Sequence, residues 1–168
     1  EMLKKGIAQE KVFQTGETFL FLGNNYTLNV CACRKIVLDY EHGEILFPEK
    51  YLSSAKEKMI AWYKRQAHGI ISERLKVCAE KNSLQYKEMK ITSATTRWGS
   101  CSSTNSLNFS WRLIMVRPAA VEYVIAHELA HTVHHDHSAS FWNRVEVMIP
   151  QYRVEEKWLK ENSGRLRL

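Results

Sequence analysis

The stretch Tyr123-Val124-Ile125-Ala126-His127-Glu128-Leu129-Ala130-His131, continuing through Thr132-Val133-His134-His135-Asp136-His137, decides how this chain is read. Two imidazoles at i and i+4 lie about 40° apart around a helix, with Cβ atoms roughly 6 Å apart, so both reach one metal ion. Zinc sites use that spacing. Glu128 stands about 100° round from His127, too displaced to be a natural ligand but beside the open side of the ion, where a general base belongs.

The flanking residues agree with a helix. Val124 and His131 fall within about 60° of His127, whereas Ile125, Ala126, Leu129 and Val133 cluster opposite, so one face can bury while the histidine face looks into a cleft. Pro118 suits a first turn, where its missing N–H costs nothing, and the pattern predicts a helix over residues 118 to about 134. Four groups compete to be the third ligand. On a continuing helix His134 would lie about 10 Å along the axis from His127, too far to share an ion that binds at about 2.1 Å, and His135 points roughly 80° away. His137 lies beyond the point where the helix can turn, and a returning loop can bring it under the metal. Geometry therefore favours His137 over His134, His135 and Asp136, and leaves Asp136 as a loop residue able to orient a ligand imidazole.

The whole chain sets the frame for that site. Its 168 residues, 45% hydrophobic and 25% charged, suit one soluble globular domain that needs no staples. No apolar run approaches the roughly 20 residues that span a bilayer, and no signal peptide opens the chain. The first residue is Glu1, so the natural start is expected to be missing. Cys31, Cys33, Cys78 and Cys101 are too few and too scattered for a disulfide framework and read as reduced thiols of a cytoplasmic protein. Cys31 and Cys33 form a C-x-C fragment, but no second ligand pair stands near it to make a metal site. The formal charge of +6 would suit an acidic partner such as nucleic acid. The basic residues are spread out with no dense tract, however, so a solvated basic surface is the preferred reading.

Along the chain, residues 1 to 16 read as an approach segment. Period-two patterning over residues 18–22, 26–31, 36–40 and 44–47, with turns at Gly23-Asn24-Asn25 and Glu41-His42-Gly43, predicts a meander of four antiparallel strands. Residues 51 to 81 turn helical, with Leu52, Ala55, Met59 and Trp62 on one stripe and Ile71, Leu75 and Cys78 on a later one. A single helix there would extend roughly 45 Å, so a bend or break near His68-Gly69 is expected. Residues 86–92 and 107–114 read as two more strands, joined by a Ser/Thr/Gly-rich loop. Ser138 caps a helix over residues 139–148, Pro150 starts a last helix to about residue 162, and the tail from Ser163 should fray.

Four separated motifs then agree in order and spacing: Arg97-Trp98-Gly99-Ser100-Cys101; Leu107-Asn108-Phe109-Ser110-Trp111-Arg112-Leu113; Tyr123 to His131; and His137-Ser138 followed by Phe141-Trp142. Together they resemble the YgjP-like metallopeptidase family, a relative of the SprT-like zincins. The resemblance implies an α+β, zincin-like single domain. In it residues 1–47 form the N-terminal β meander, 48–82 a helical segment, and 83–168 a zinc-binding core whose H-E-x-x-H helix packs on a small sheet. It implies Zn²⁺ on His127, His131 and His137, Glu128 as catalytic base, a peptide or protein as substrate, and a further β region ahead of Glu1. If the strand over residues 107–113 borders the cleft as the edge strand of zincins does, it can bind an extended peptide by main-chain pairing. Trp98, Asn108, Trp111 and Arg112 are then the candidates for the substrate cleft, with core packing the alternative for the two tryptophans. Three other functions stay open: a zinc hydrolase of nucleotides or other phosphate compounds, a DNA-associated SprT-like protease, and a non-catalytic binding module.

Overall fold

The computed structural model describes residues 10–163. The start of the approach segment and the tail expected to fray beyond Ser163 lie outside them. Eleven regular elements follow in an α+β order: β1 (Thr18–Phe21), β2 (Asn24–Cys31), β3 (Val37–Asp39), β4 (Glu44–Pro48), α1 (Ala55–Lys81), β5 (Glu88–Thr92), β6 (Gly99–Cys101), β7 (Ser106–Ser110), α2 (Pro118–Ala130), α3 (Ala139–Met148) and α4 (Tyr152–Asn162). None of the helices among the described residues is long and apolar enough to cross a membrane.

The first four strands lie where the alternation puts them, but they do not form a meander. Their order is β1-β2-β4-β3, and β2 pairs with β4 in parallel, Thr27 opposite Glu44 through Cys31 opposite Pro48. Two antiparallel hairpins, β1/β2 and β3/β4, are thus joined through a parallel pair. Alternation fixes which face of a strand is buried; it does not choose the neighbour. The β1/β2 turn is Leu22-Gly23, with φ of +47° and +80°, the double left-handed backbone of a tight hairpin. Gly23 is required twice over, because a Cβ there would come within 2.9 Å of the Arg117 Cα. The turn's amides donate to Ile114 O at 2.7 Å and Met115 O at 3.2 Å. The first sheet is therefore tied to the residues that start α2.

Helix α1 runs unbroken for 27 residues, through His68 and Gly69. Both lie on its solvent side, while Ala55, Met59, Trp62, Tyr63, Ala67, Ile71, Leu75 and Ala79 make one continuous buried row. An interior glycine costs about 1 kcal/mol, which a row of that length outweighs. The second sheet has the order β5-β7-β6, with β7 parallel to β5 and antiparallel to β6. The strand expected to run to residue 114 stops at Ser110, and Trp111–Met115 form a 3-10 turn. Trp111 is 1% exposed and stacks on Tyr63 at 5.5 Å, and the Tyr63 hydroxyl donates to Leu20 O at 2.7 Å. This cluster joins α1, the first sheet and the approach to α2 in one core.

Helix α2 begins at Pro118, as the missing N–H predicts, and ends at Ala130, a turn earlier than expected. It is not two-faced. Val124, on the histidine side, is buried, whereas Val133 is 49% exposed. The cause is that α3 and α4 pack over the histidine side, so α2 runs through the middle of the domain and is apolar nearly all round. Its start is pinned to α4: Arg117 donates from Nε and Nη2 to Glu155 at 2.8 and 3.0 Å, and its guanidinium lies over Trp158 at 4.8 Å.

Candidate active site

Three imidazoles converge at the end of α2. His127 comes from the helix body, His131 from its C-cap and His137 from beyond the loop of residues 132–136, and a ligand nitrogen from each lies within 4.8 Å of the others. His127 Nε2 and His137 Nε2 are 3.3 Å apart. Two nitrogens each at 2.0–2.1 Å from a tetrahedral ion stand about 3.4 Å apart, so the pair has the separation of co-ligands. His131 Nδ1 lies 2.9 Å from the His134 carbonyl oxygen. Only a ring N–H can make that bond, so His131 carries its proton on Nδ1 and leaves Nε2 free as a donor. The site fits a divalent metal of borderline softness by its donors: three imidazole nitrogens, one with its tautomer set.

The loop places His137 by its own hydrogen bonds. His134 N donates to Ala130 O at 2.9 Å, closing the last turn of α2. Asp136 accepts from Ser138 N at 3.2 Å, and Ser138 Oγ accepts from Phe141 N at 3.4 Å to cap α3. Asp136, expected to orient a ligand imidazole, makes its hydrogen bond to Ser138 N at the entry to α3, and His131 is held by the His134 backbone carbonyl. Among the described residues His134 and His135 do not join the cluster. The first residue pair of α3's buried side completes the support. The Phe141 ring lies 4.9, 4.4 and 4.8 Å from the rings of His127, His131 and His137, and Trp142 stands 5.7 and 5.8 Å from His127 and His137.

Burial sets the charge states. His127 is pushed down to about 3 by desolvation, helped by its two neighbouring imidazoles, and stays neutral as a ligand must. Glu128, 6% exposed, is pushed up to about 7 by desolvation, which the Arg97 guanidinium opposes. Its carboxyl lies against β6: a Cβ on Gly99 would come within 2.7 Å of Glu128 Cγ and Oε1. Only glycine lets that strand pass so close. Tyr123, one turn before His127, sets its hydroxyl 3.5 Å from His127 Nδ1.

A cavity of about 360 Å³ opens beside this carboxyl, lined by Arg97, Trp98, Gly99, Tyr123, Val124, His127 and Glu128 on one side and Glu156, Leu159 and Lys160 of α4 on the other. Of the four residues expected in the cleft, the structure brings Trp98 to it. Trp111 is in the core. Asn108 lies on the central strand β7 and donates to Ser100 Oγ at 3.4 Å; Arg112 donates to Ser93 O and Ala94 O at 3.1 and 3.3 Å and lies over Trp111. Neither lines the cavity. The edge of the second sheet nearest Glu128 is β6 and not the strand first assigned to it. Gly99, Arg97 and Phe141 were not singled out as site residues. Phe141 belongs to the motif that carries the family resemblance, and the approach of Gly99 to Glu128 joins residues too far apart in the chain for any local pattern to show.

The donor set, the buried carboxyl and the cavity at the end of one helix are those of a metallopeptidase. The chain belongs to the YgjP-like metallopeptidase family, whose metallopeptidase domain matches residues 1–162. The fold is similar to the crystal structure of the metallopeptidase zymogen abylysin of Pyrococcus abyssi, with a TM-score of 0.52 and 19% identity, over 58% of this chain and 99% of that one. Comparison with curated proteins gave no match. The four cysteines are free thiols, and among the described residues the histidine cluster is the one group able to hold a metal.

Proposed function

We propose that this chain cleaves peptide bonds with a zinc ion held by His127, His131 and His137 and with Glu128 as the proton carrier. The observation that carries the reading is the buried carboxyl of Glu128 placed on the same helix end as three convergent imidazoles and lining the same cavity. A zinc ion on three imidazoles supplies Lewis acidity, which acidifies water and polarises a carbonyl oxygen. Glu128 takes the proton of the attacking water and passes it to the leaving amine. Burial of the carboxyl favours its holding the proton between the two transfers.

The substrate main chain is assigned to β6. Trp98 O accepts from Ser110 N at 2.8 Å and Ser102 N donates to Ser106 O at 2.9 Å. In an antiparallel ladder the residues between them alternate, so Gly99 and Cys101 turn their N–H and C=O groups outward. An extended peptide can add to that edge as a further strand. The free thiols support a reducing compartment, the cytoplasm, as its location.

The test is cleavage of an unstructured protein by zinc-loaded enzyme. Activity should vanish with chelator and with Glu128→Gln, and His137→Ala should lose bound zinc by elemental analysis. Phosphate release from nucleoside triphosphates without peptide cleavage would overturn the peptidase reading, and full zinc content in His137→Ala would overturn the ligand set.

A further inference from the structure

We propose that the cavity beside Glu128 is a side-chain pocket selective for a carboxylate, gripped by Arg97; this rests on the peptidase reading above. The volume, about 360 Å³, is at the small end of ligand sites, which run from about 300 to 1,000 Å³. It has room for one long side chain. Val124 and Leu159, both 4% exposed, and the ring of Trp98 give it an apolar wall against which methylenes can lie.

Charge decides the rest. Besides Glu128, the cavity carries Arg97, Lys160 and Glu156. Lys160 donates to Glu156 at 2.7 Å, one turn apart on α4, so those two satisfy each other. Arg97 is exposed at the cavity and its charge acts on Glu128, but it makes no ion pair or hydrogen bond among the described residues, so its guanidinium fork is open to a ligand. A guanidinium presents its N–H groups in a planar fork that a carboxylate fills with two parallel hydrogen bonds. Arg97 is also two residues from Gly99, and the Glu128 carboxyl lies where a Gly99 side chain would project. A peptide paired to β6 therefore delivers the residue next to the reacting bond into this cavity. The carboxylate is that of a glutamate or aspartate side chain, or the free C-terminus of a peptide cut near its end.

The experiment measures peptide binding by calorimetry to zinc-loaded full chain carrying Glu128→Gln, which leaves the peptides intact. The probes are hexapeptides with Glu or Gln at one central position, each with a free or an amidated C-terminus. Binding about tenfold tighter is expected for the carboxylate-bearing peptide, the size of a charge-assisted contact. Adding Arg97→Gln should erase the difference while the melting temperature holds. A preference that follows the central Glu identifies a side chain as the ligand; one that follows the free end identifies the C-terminus. Acidic and neutral peptides bound equally, no peptide bound, or a preference that survives Arg97→Gln would each overturn the proposal. Cleavage by the native chain separates the two readings: neutral peptides cut as fast as acidic ones leave the peptidase intact and sink only the pocket.

Discussion

Replacing Glu128 by glutamine should stabilise the chelated protein above neutral pH and slightly destabilise it in acid. The carboxyl sits at about 7 in the folded chain against an ordinary 4.5, because burial disfavours its charge. Below pH 4.5 the group is protonated whether the chain is folded or not, and burial costs it no ionisation energy. As pH rises from 4.5 to 7 the unfolded chain ionises and the folded one does not, so stability falls; above 7 the loss is constant. At 1.36 kcal/mol per pH unit the full penalty is about 3 kcal/mol. Glutamine has the same shape and no charge, but its buried amide gives back about 1 kcal/mol for want of a partner. The mutant is then about 2 kcal/mol more stable than the parent above pH 7 and about 1 kcal/mol less stable near pH 4. Urea unfolding of both proteins with chelator at pH 4, 6 and 8 measures it. His127 resists protonation equally in both and cancels. Equal stability at pH 8, or a gain that is the same at pH 4, would refute the argument from burial.

Gly99→Ala should force the Glu128 carboxyl aside, costing about 1–3 kcal/mol of stability as overpacking and lowering peptide cleavage by about a hundredfold through misplacement; zinc content, measured by elemental analysis, should stay as in the parent. Trp111→Ala should cost about 3–5 kcal/mol in urea unfolding, yet the folded fraction should keep its KM for peptide, because Trp111 packs on Tyr63 and does not face the cavity.

The legible part of this protein was local. His127 and His131 stand four residues apart at one helix end, so their spacing alone brings the two imidazoles together with Glu128 beside them, and His137 joins the cluster from the loop because a helix cannot deliver any later residue to the same point. Pro118 and Ser138 announced the starts of α2 and α3 for the same reason: capping acts within a few residues. What escaped depends on partners far away in the chain. Alternation placed β2 and β4, but not their parallel pairing. Trp111 follows a strand and precedes the metal helix, which fits a cleft as well as a core, and the Tyr63 ring that claims it lies 48 residues earlier. Gly69 read as a break because the buried row that carries α1 past it is a property of the packed domain. Even the end of α2 is set from outside its pattern, since the chain must turn after Ala130 for His137 to return.

The shortness of β6 has a meaning of its own. An open strand edge invites any extended chain, including another copy of the same protein, and is a common seed of aggregation. Here the open edge offers the outward groups of just Gly99 and Cys101, and the chain leaves the ladder on both sides through the Thr95-Thr96 and Ser103-Thr104 loops. On the docking proposed above, two residues would suffice for a flexible peptide whose neighbouring residue enters the cavity. They are too few to template a sheet between copies. On the proposed docking, the strand is open over the length a peptide needs and stops before it becomes a hazard to the protein's own solubility.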